Sequence, residues 1–249
     1  MVIKYGGNAM TDEATRGRAA AALYDATQGG EPPVVVHGGG PFIQAALDAA
    51  GLEHRFERGL RVTTPESLEV IENVLTVLGK RLAQEIGPAV GLTGRDGGLL
   101  HASQRAELGR VGRMQRVEPR LLTALRRAGY VPVVACLATG EDGGLLNVNA
   151  DEVAGAVAGA LGEGVVFLTN VPGVLADPQD PGSVLPRLTR TEAHARMQDG
   201  RISGGMIPKV EAALAALDQG APFAVVADGR DPTGVAAALA GGGTRVTAD

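Results

Sequence analysis

Short apolar runs that stop at glycine or a polar turn, most of them followed by a segment of helical spacing, recur along the whole chain. They are Val2–Tyr5, Val34–Val36, Pro88–Leu92, Tyr130–Leu137, Val165–Leu168 and Phe223–Ala227. Apart from the one charge Lys4 in the first, these runs are apolar throughout and need burial on both faces, and helices are what cover a sheet on both faces. The expected fold is therefore α/β, a three-layer α/β/α sandwich around a mostly parallel central sheet. No composition shift or linker divides the 249 residues, so one domain over 1–249 is expected, with halves meeting near Gly140.

Composition narrows the partners. Aromatic residues are 3% with no Trp, so packing must come from Val, Leu, Ile and Ala. The net charge of −5 and the scarcity of stacking rings argue against nucleic acid. Cys136 is the one cysteine and lies in an apolar run, which reads as a small buried hydrophobe. His37, His54, His101 and His194 sit in separate segments without metal-ligand spacing, so no metal site is expected. No apolar stretch approaches the ~18 residues of a membrane span. Met1 leads directly into a strand without a presequence, and the expected location is the cytoplasm.

In order, a helix is expected from Asp12 to Gln28, another from Phe42 to Gly51, and a long one from the Thr63-Thr64-Pro65-Glu66 start to Ile86. Leu99–Val117 reads as a hairpin flap with a basic side, and Pro119–Arg127 as a helix. Gly140–Gly144 is a glycine loop, and Asn149 with Glu152 resembles a capping box for a helix to Leu161. Asp177–Leu188 reads as an exposed loop, Asp199–Gly205 as a mobile segment, and Thr191–Gln198, Met206–Gln219 and Pro232–Leu239 as helices. Thr244–Thr247 is a final strand.

The stretch Val34–Pro41, VVVHGGGP, carries the strongest functional signal. A buried strand ends there in bare backbone at the mouth of a helix, where free N–H groups carry partial positive charge. Neither the P-loop nor the dinucleotide fingerprint occurs, nor does the serine nucleophile elbow. What remains is a set of charges near strand ends: Lys4 before Gly6-Gly7, Arg61 in GLRVT, Asn147, Asn149 and Asp151 in NVNAD, and Lys209 after Gly204-Gly205. Each has a plain structural alternative: an edge lysine, a surface ion pair, a first-turn acid. Lys209 resists one, since a cation in a first helical turn opposes the helix dipole and an anion beside it would resolve the conflict. His37 reads as a structural hydrogen-bonding residue rather than a proton carrier.

VIKYGGNAM, VVVHGGGP, RGLRVT, LLNVNADEVAGAVAGAL, VFLTNVPGVL and GGMIPKVEAAL occur in that order over about residues 2–230. In this the chain resembles the acetylglutamate kinases of the amino acid kinase family. The resemblance implies transfer of a phosphoryl group from ATP, with Mg²⁺, to the side-chain carboxylate of N-acetyl-L-glutamate in arginine biosynthesis. It implies that Lys4 and Lys209 stabilise the transition state and that Asp151 positions both. Gly39, Gly40, Arg61 and Asn147 would bind the amino-acid substrate; Gly7, Asn170, Val171, Gly173, Leu175, Arg201 and Ser203 would flank phosphates and nucleotide. Residues 1–140 would form the amino-acid half and 141–249 the nucleotide half.

Two departures stand out. Many relatives have an acid where this chain has Asn170. Arginine-inhibited relatives have an extra N-terminal helix that links dimers into a ring, so a homodimer insensitive to arginine is expected here. Two other functions stay open: a kinase for carrier-linked aminoadipate or glutamate in lysine biosynthesis, and a non-catalytic amino-acid or nucleotide sensor.

Overall fold

The structure is a computed structural model that describes residues 1–6, 10–27, 29–177, 179–180, 182–230 and 233–249. The chain begins with β1 (Val2–Tyr5), α1 (Glu13–Thr27), β2 (Val34–His37) and α2 (Gly40–Ala49). A small hairpin, β3 (Phe56–Glu57) and β4 (Leu60–Arg61), precedes α3 (Pro65–Ile86) and β5 (Ala89–Thr93). Next come β6 (Leu100–Arg105), β7 (Val111–Val117), α4 (Arg120–Arg127), β8 (Val131–Ala135), β9 (Leu137–Gly140) and β10 (Leu145–Asn147). The remainder is α5 (Ala150–Leu161), β11 (Val165–Thr169), β12 (Arg187–Thr189), α6 (Arg190–Gln198), α7 (Ile207–Asp218), β13 (Ala224–Asp228), α8 (Gly234–Leu239) and β14 (Thr244–Thr247).

Eight strands form one sheet in the order β12-β14-β13-β11-β1-β2-β8-β5. Strands β13, β11, β1, β2, β8 and β5 pair in parallel; β14 runs antiparallel to β13 and carries β12 parallel to itself. Strand β1 sits in the middle between β2 and β11, which joins the early and late parts of the chain in one layer. Side-chain alternation builds a core on each face. Val34 and Val36 pack with α2, α5 and α7 residues such as Leu47, Val153 and Val210. Ile3, Tyr5 and Val35 pack on the other face with Leu23 of α1 and Val235 of α8.

Helix α3 belongs to both cores. Its first half gives Leu68, Ile71 and Leu75 to one face, and its second half gives Leu78, Leu82 and Ile86 to the other. It starts as its sequence predicts: the Thr64 hydroxyl accepts the Ser67 N–H at 3.2 Å and Pro65 occupies the first turn. Gly87, at φ 101°, ends it.

Three readings of the sequence change. Tyr130–Leu137 is not one strand, because the chain leaves the central sheet after Ala135 and enters a second one at Leu137. That second sheet is a small closed barrel, β10-β7-β6-β9, so the 99–117 hairpin is a wall of a barrel and not a free flap. The segment read as an exposed loop to Leu188 ends in β12, where Leu188 is buried against Val246. Local polarity hid this short strand, which long-range pairing alone stabilises. The 140–144 glycines form a tight turn closed by Gly140 N–H to Gly144 O at 2.7 Å.

Candidate functional site

Strands β1 and β2 end side by side, and the helices after them must begin at that same edge. Helices α5 and α7 lead back into β11 and β13, so their N-termini face it as well. The positive ends of α2, α5 and α7 therefore gather where the parallel strands stop, which is where open α/β sheets bind ligands. A cleft of about 220 Å³ opens there, walled by Lys4, Gly38, Gly39, Gly40, Arg61, Asn147 and Asp151 among others.

Lys4, like Val2, lies on the face of β1 opposite Ile3 and Tyr5. Its ammonium meets Asp151 Oδ1 at 3.0 Å, and it lies over bare Gly6, where an added Cβ would be 3.5 Å from Nζ. Asp151 is held at the start of α5 because Asn149 Oδ1 accepts the N–H groups of Asp151 at 2.7 Å and Glu152 at 3.3 Å. The capping box expected from Asn149 and Glu152 is only half present. Glu152 turns away and accepts the Met114 N–H of β7 at 2.7 Å, with Arg105 at 3.6 Å, so it ties α5 to the barrel.

Lys209 enters from the first turn of α7 and donates to Gly205 O at 3.0 Å. Burial holds its ammonium below the usual lysine range, Lys4 pushes the same way, and Asp151 opposes them. Two lysines from opposite ends of the chain and one carboxylate thus share one electrostatic field, the grouping that the sequence could only suggest.

One side of the cleft is built around Arg61, which is 9% exposed. Its guanidinium lies 4.6 Å over the Phe56 ring and donates to Gly40 O at 3.4 Å and Gln44 Oε1 at 3.5 Å. Burial lowers its pKa and Asp48 opposes that, yet an arginine remains a cation. Asn147 Nδ2 donates to Thr63 Oγ1 at 3.1 Å, and that hydroxyl donates to Arg61 O at 2.9 Å. The sequence places Thr63 at the end of RGLRVT and at a helix start; the structure makes it the link between Arg61 and Asn147. No sequence signal separates those roles, because its partner lies on β10.

Gly39 packs close to α3: a Cβ there would stand 2.8 Å from Leu75 Cδ2, so that leucine's methyl would have to shift. Gly38 lies against the start of α5, where its Cβ would be 3.5 Å from that of Ala150. Gly7 lies outside the described residues. Asn170 is exposed at the end of β11, and Val171 N–H donates to Thr169 Oγ1 at 3.2 Å. Gly173 allows close approach of β14, since a Cβ would meet Thr244 Oγ1 at 2.7 Å, and Leu175 bridges to Val184. Arg201 pairs with Asp199, and Ser203 precedes the 3-10 turn Gly204–Met206 that leads into α7. Asn170, Val171, Gly173, Leu175, Arg201 and Ser203 are not in the wall of the 220 Å³ cleft as described; they belong to the approaches from β11 and α7.

The chemistry available follows from these groups. His37 is fully buried, and burial pushes its pKa down to about 4 against the effect of the Gly38 carbonyl. Burial raises the Cys136 thiol to about 12 although it borders the cleft, so it is no nucleophile at neutral pH. Among the described residues no group of three or more His, Cys, Asp or Glu could hold a metal ion. Lys4 and Arg61 are cations of the cleft wall and Asp151 its carboxylate; Lys209 lies outside that wall but within reach of the charges of Lys4 and Asp151, and the arrangement has the chemistry to receive an anion.

Known proteins resemble this chain over nearly its whole length. An acetylglutamate kinase of Deinococcus radiodurans is 55% identical over 249 residues, covering 99% of both chains. A crystal structure of a Streptococcus mutans protein superposes with a TM-score of 0.80 at 28% identity, covering 100% of this chain and 98% of that one. Carbamate kinase from Giardia lamblia bound to AMP-PNP shares the fold, with a TM-score of 0.71 at 19% identity, covering 100% and 98%. The profile of the amino acid kinase family matches residues 1–228, a span that contains every element of the cleft, and the chain belongs to that family.

Proposed function

We propose that this protein transfers the γ-phosphoryl group of ATP to the side-chain carboxylate of N-acetyl-L-glutamate, forming N-acetyl-L-glutamyl 5-phosphate in arginine biosynthesis. The observation that carries the reading is the Lys4–Asp151–Lys209 cluster beside buried Arg61, in a chain 55% identical to an acetylglutamate kinase. The nucleophile is a carboxylate already ionised at neutral pH, so no general base is needed. The obstacle is repulsion: two unit charges at 4 Å cost about 4 kcal/mol at an effective dielectric of 20. Lys4 and Lys209 offset that charge on the transferring group, and Asp151 holds the two lysines in position.

Arg61 takes the substrate's α-carboxylate through its planar fork, and Asn147, oriented by Thr63, binds the same end of the molecule. Backbone N–H groups of Gly39, Gly40 and Gly7 serve the carboxylate and phosphoryl oxygens. Asn170, Val171, Gly173, Leu175, Arg201 and Ser203 flank the nucleotide, and a structural neighbour of this fold is a carbamate kinase bound to AMP-PNP. Among the described residues the one carboxylate in the cleft wall is taken by Lys4, so Mg²⁺ would be carried by the phosphates of ATP and would offset their charge. The working unit is a homodimer in the cytoplasm, each chain one domain with an amino-acid half at 1–140 and a nucleotide half at 141–249. Among the described residues no helix is long and apolar enough to cross a membrane.

Incubation with ATP, Mg²⁺ and hydroxylamine, offering N-acetyl-L-glutamate or a carrier-linked aminoadipate, tests the reading. Hydroxamate formation from acetylglutamate supports it; product only from the carrier-linked acceptor overturns it. In Lys209→Ala, turnover should disappear while acetylglutamate still binds, and near-normal turnover would remove the catalytic assignment. Sedimentation of the intact protein checks the dimer.

A further inference from the structure

His37 is a histidine in a place where an aliphatic residue would pack. It ends β2 with no exposed surface, on the face opposite the cleft, since Val34 and Val36 face the cleft side and Val35 the other. The space for its ring is cut into α3: a Cβ on Gly79 would stand 2.8 Å from His37 Nε2. Nε2 is buried without a hydrogen-bond partner among the described residues, while Nδ1 lies 3.0 Å from Gly38 O. A buried imine nitrogen left unpaired is costly, so the nitrogen that is paired needs a reason.

The reason follows from the peptide unit. The carbonyl of Gly38 and the N–H of Gly39 belong to one planar trans peptide, in which they point in opposite directions. A carbonyl is an acceptor only, so the ring nitrogen facing it must carry the proton. Drawing that carbonyl toward the imidazole, away from the cleft, turns the Gly39 N–H toward the cleft. Glycine rotates freely about both backbone bonds, and without such a tether the Gly38–Gly39 peptide would sample other orientations. Gly39 also caps α2, so its N–H adds to the positive end of that helix.

We infer that His37 is a positioning residue whose Nδ1–H anchors the Gly38 carbonyl and so aims the Gly39 N–H at the anionic centre of the cleft. This rests on the kinase reading for what the N–H meets, though not for the anchor itself. The depressed pKa keeps the ring neutral under assay conditions, and the neutral ring's one proton sits on Nδ1.

Two measurements test it. Ring ¹⁵N chemical shifts of His37 in the unmodified protein should show the Nδ1-protonated tautomer; the Nε2-protonated form would overturn the anchor whether or not the enzyme is active. His37→Asn keeps a donor where Nδ1 stood, whereas His37→Leu fills the space without one. With acetylglutamate turnover first established in the unmodified enzyme, His37→Leu should lose at least tenfold in kcat with KM values within about threefold, and His37→Asn should recover most of it. A Leu variant within twofold of the parent kcat, or an Asn variant no better than Leu, would overturn the inference. If the Leu variant fails to fold, the tautomer measurement and the Asn variant still decide. Failure of the parent enzyme to use acetylglutamate would refute the substrate reading and leave the tautomer result standing.

Discussion

Replacing Asp151 by Asn removes one charge and little else. Asn is nearly isosteric, and the cap of α5 is made by Asn149, so the helix start should survive. The lost contact is the 3.0 Å pair with Lys4, whose gross Coulomb energy is about 5–6 kcal/mol at an effective dielectric of 20. Water reaches Asp151, whose side chain is 36% exposed, so most of that energy is screened and on the order of 1–3 kcal/mol remains for positioning the lysines. At ~1.4 kcal/mol per factor of ten, kcat should fall roughly 10- to 100-fold. The KM for ATP should hold or drop, because the cleft becomes more cationic. Lys209 then loses the carboxylate that opposes its lowered pKa, so the alkaline limb of the kcat profile should move to lower pH. Steady-state hydroxamate assays between about pH 6 and 10 read both effects. A variant within twofold of the parent kcat and with an unmoved alkaline limb would refute the idea that Asp151 sets the two lysines.

Arg61→Lys exchanges a planar fork for a point charge; it should raise the KM for acetylglutamate roughly 10- to 100-fold and change kcat by less than about threefold. Equal losses in kcat would mean that Arg61 acts at the phosphoryl group instead. Arg126 is 4% exposed and joins Pro32 O at 2.6 Å, Glu163 at 2.9 Å and Glu31 at 3.0 Å, so it clamps loops at the edge of the sheet opposite the cleft. Arg126→Met should cost about 3 kcal/mol, lowering Tm by roughly 6–12 °C with the KM values unchanged; a drop under about 2 °C would remove the clamp. The buried neutral His37 gives a pH signature: on acidification the unfolded chain takes up a proton near pH 6.5, while the folded chain does so only near 4. Stability is therefore lost as pH falls through that window, by about 3 kcal/mol from this group. Denaturant unfolding of the parent and His37→Asn at pH 7 and 4.5 should show the difference shrinking in the variant.

How much was legible in advance depends on how far apart the interacting groups lie in the chain. The apolar runs, the Thr64 start of α3 and the Asn149 cap are patterns within one turn or one strand, and the expected α/β/α layers follow from them. The glycine stretch after VVVH lines the cleft, and Lys209 stands in a first helical turn as its sequence position predicts. These signals are local because hydrogen bonding in a cap or a helix dipole acts within a few residues.

The tertiary structure decided the rest. The sequence could not say that the run through Cys136 changes sheets, since both strands are apolar and only their pairing partners differ. It could not show that Glu152 would forsake its own helix for Met114 N–H, or that Thr63 would join Arg61 to Asn147. Above all, Lys4 and Lys209 are brought together because β1 lies in the centre of the sheet beside β11, a pairing made by non-local hydrogen bonds and burial. By itself, the sequence determined which residues carry charge and which segments end in bare backbone. Packing determined which of them share one field, because Coulomb and hydrogen-bonding energies depend on distance through space and not along the chain.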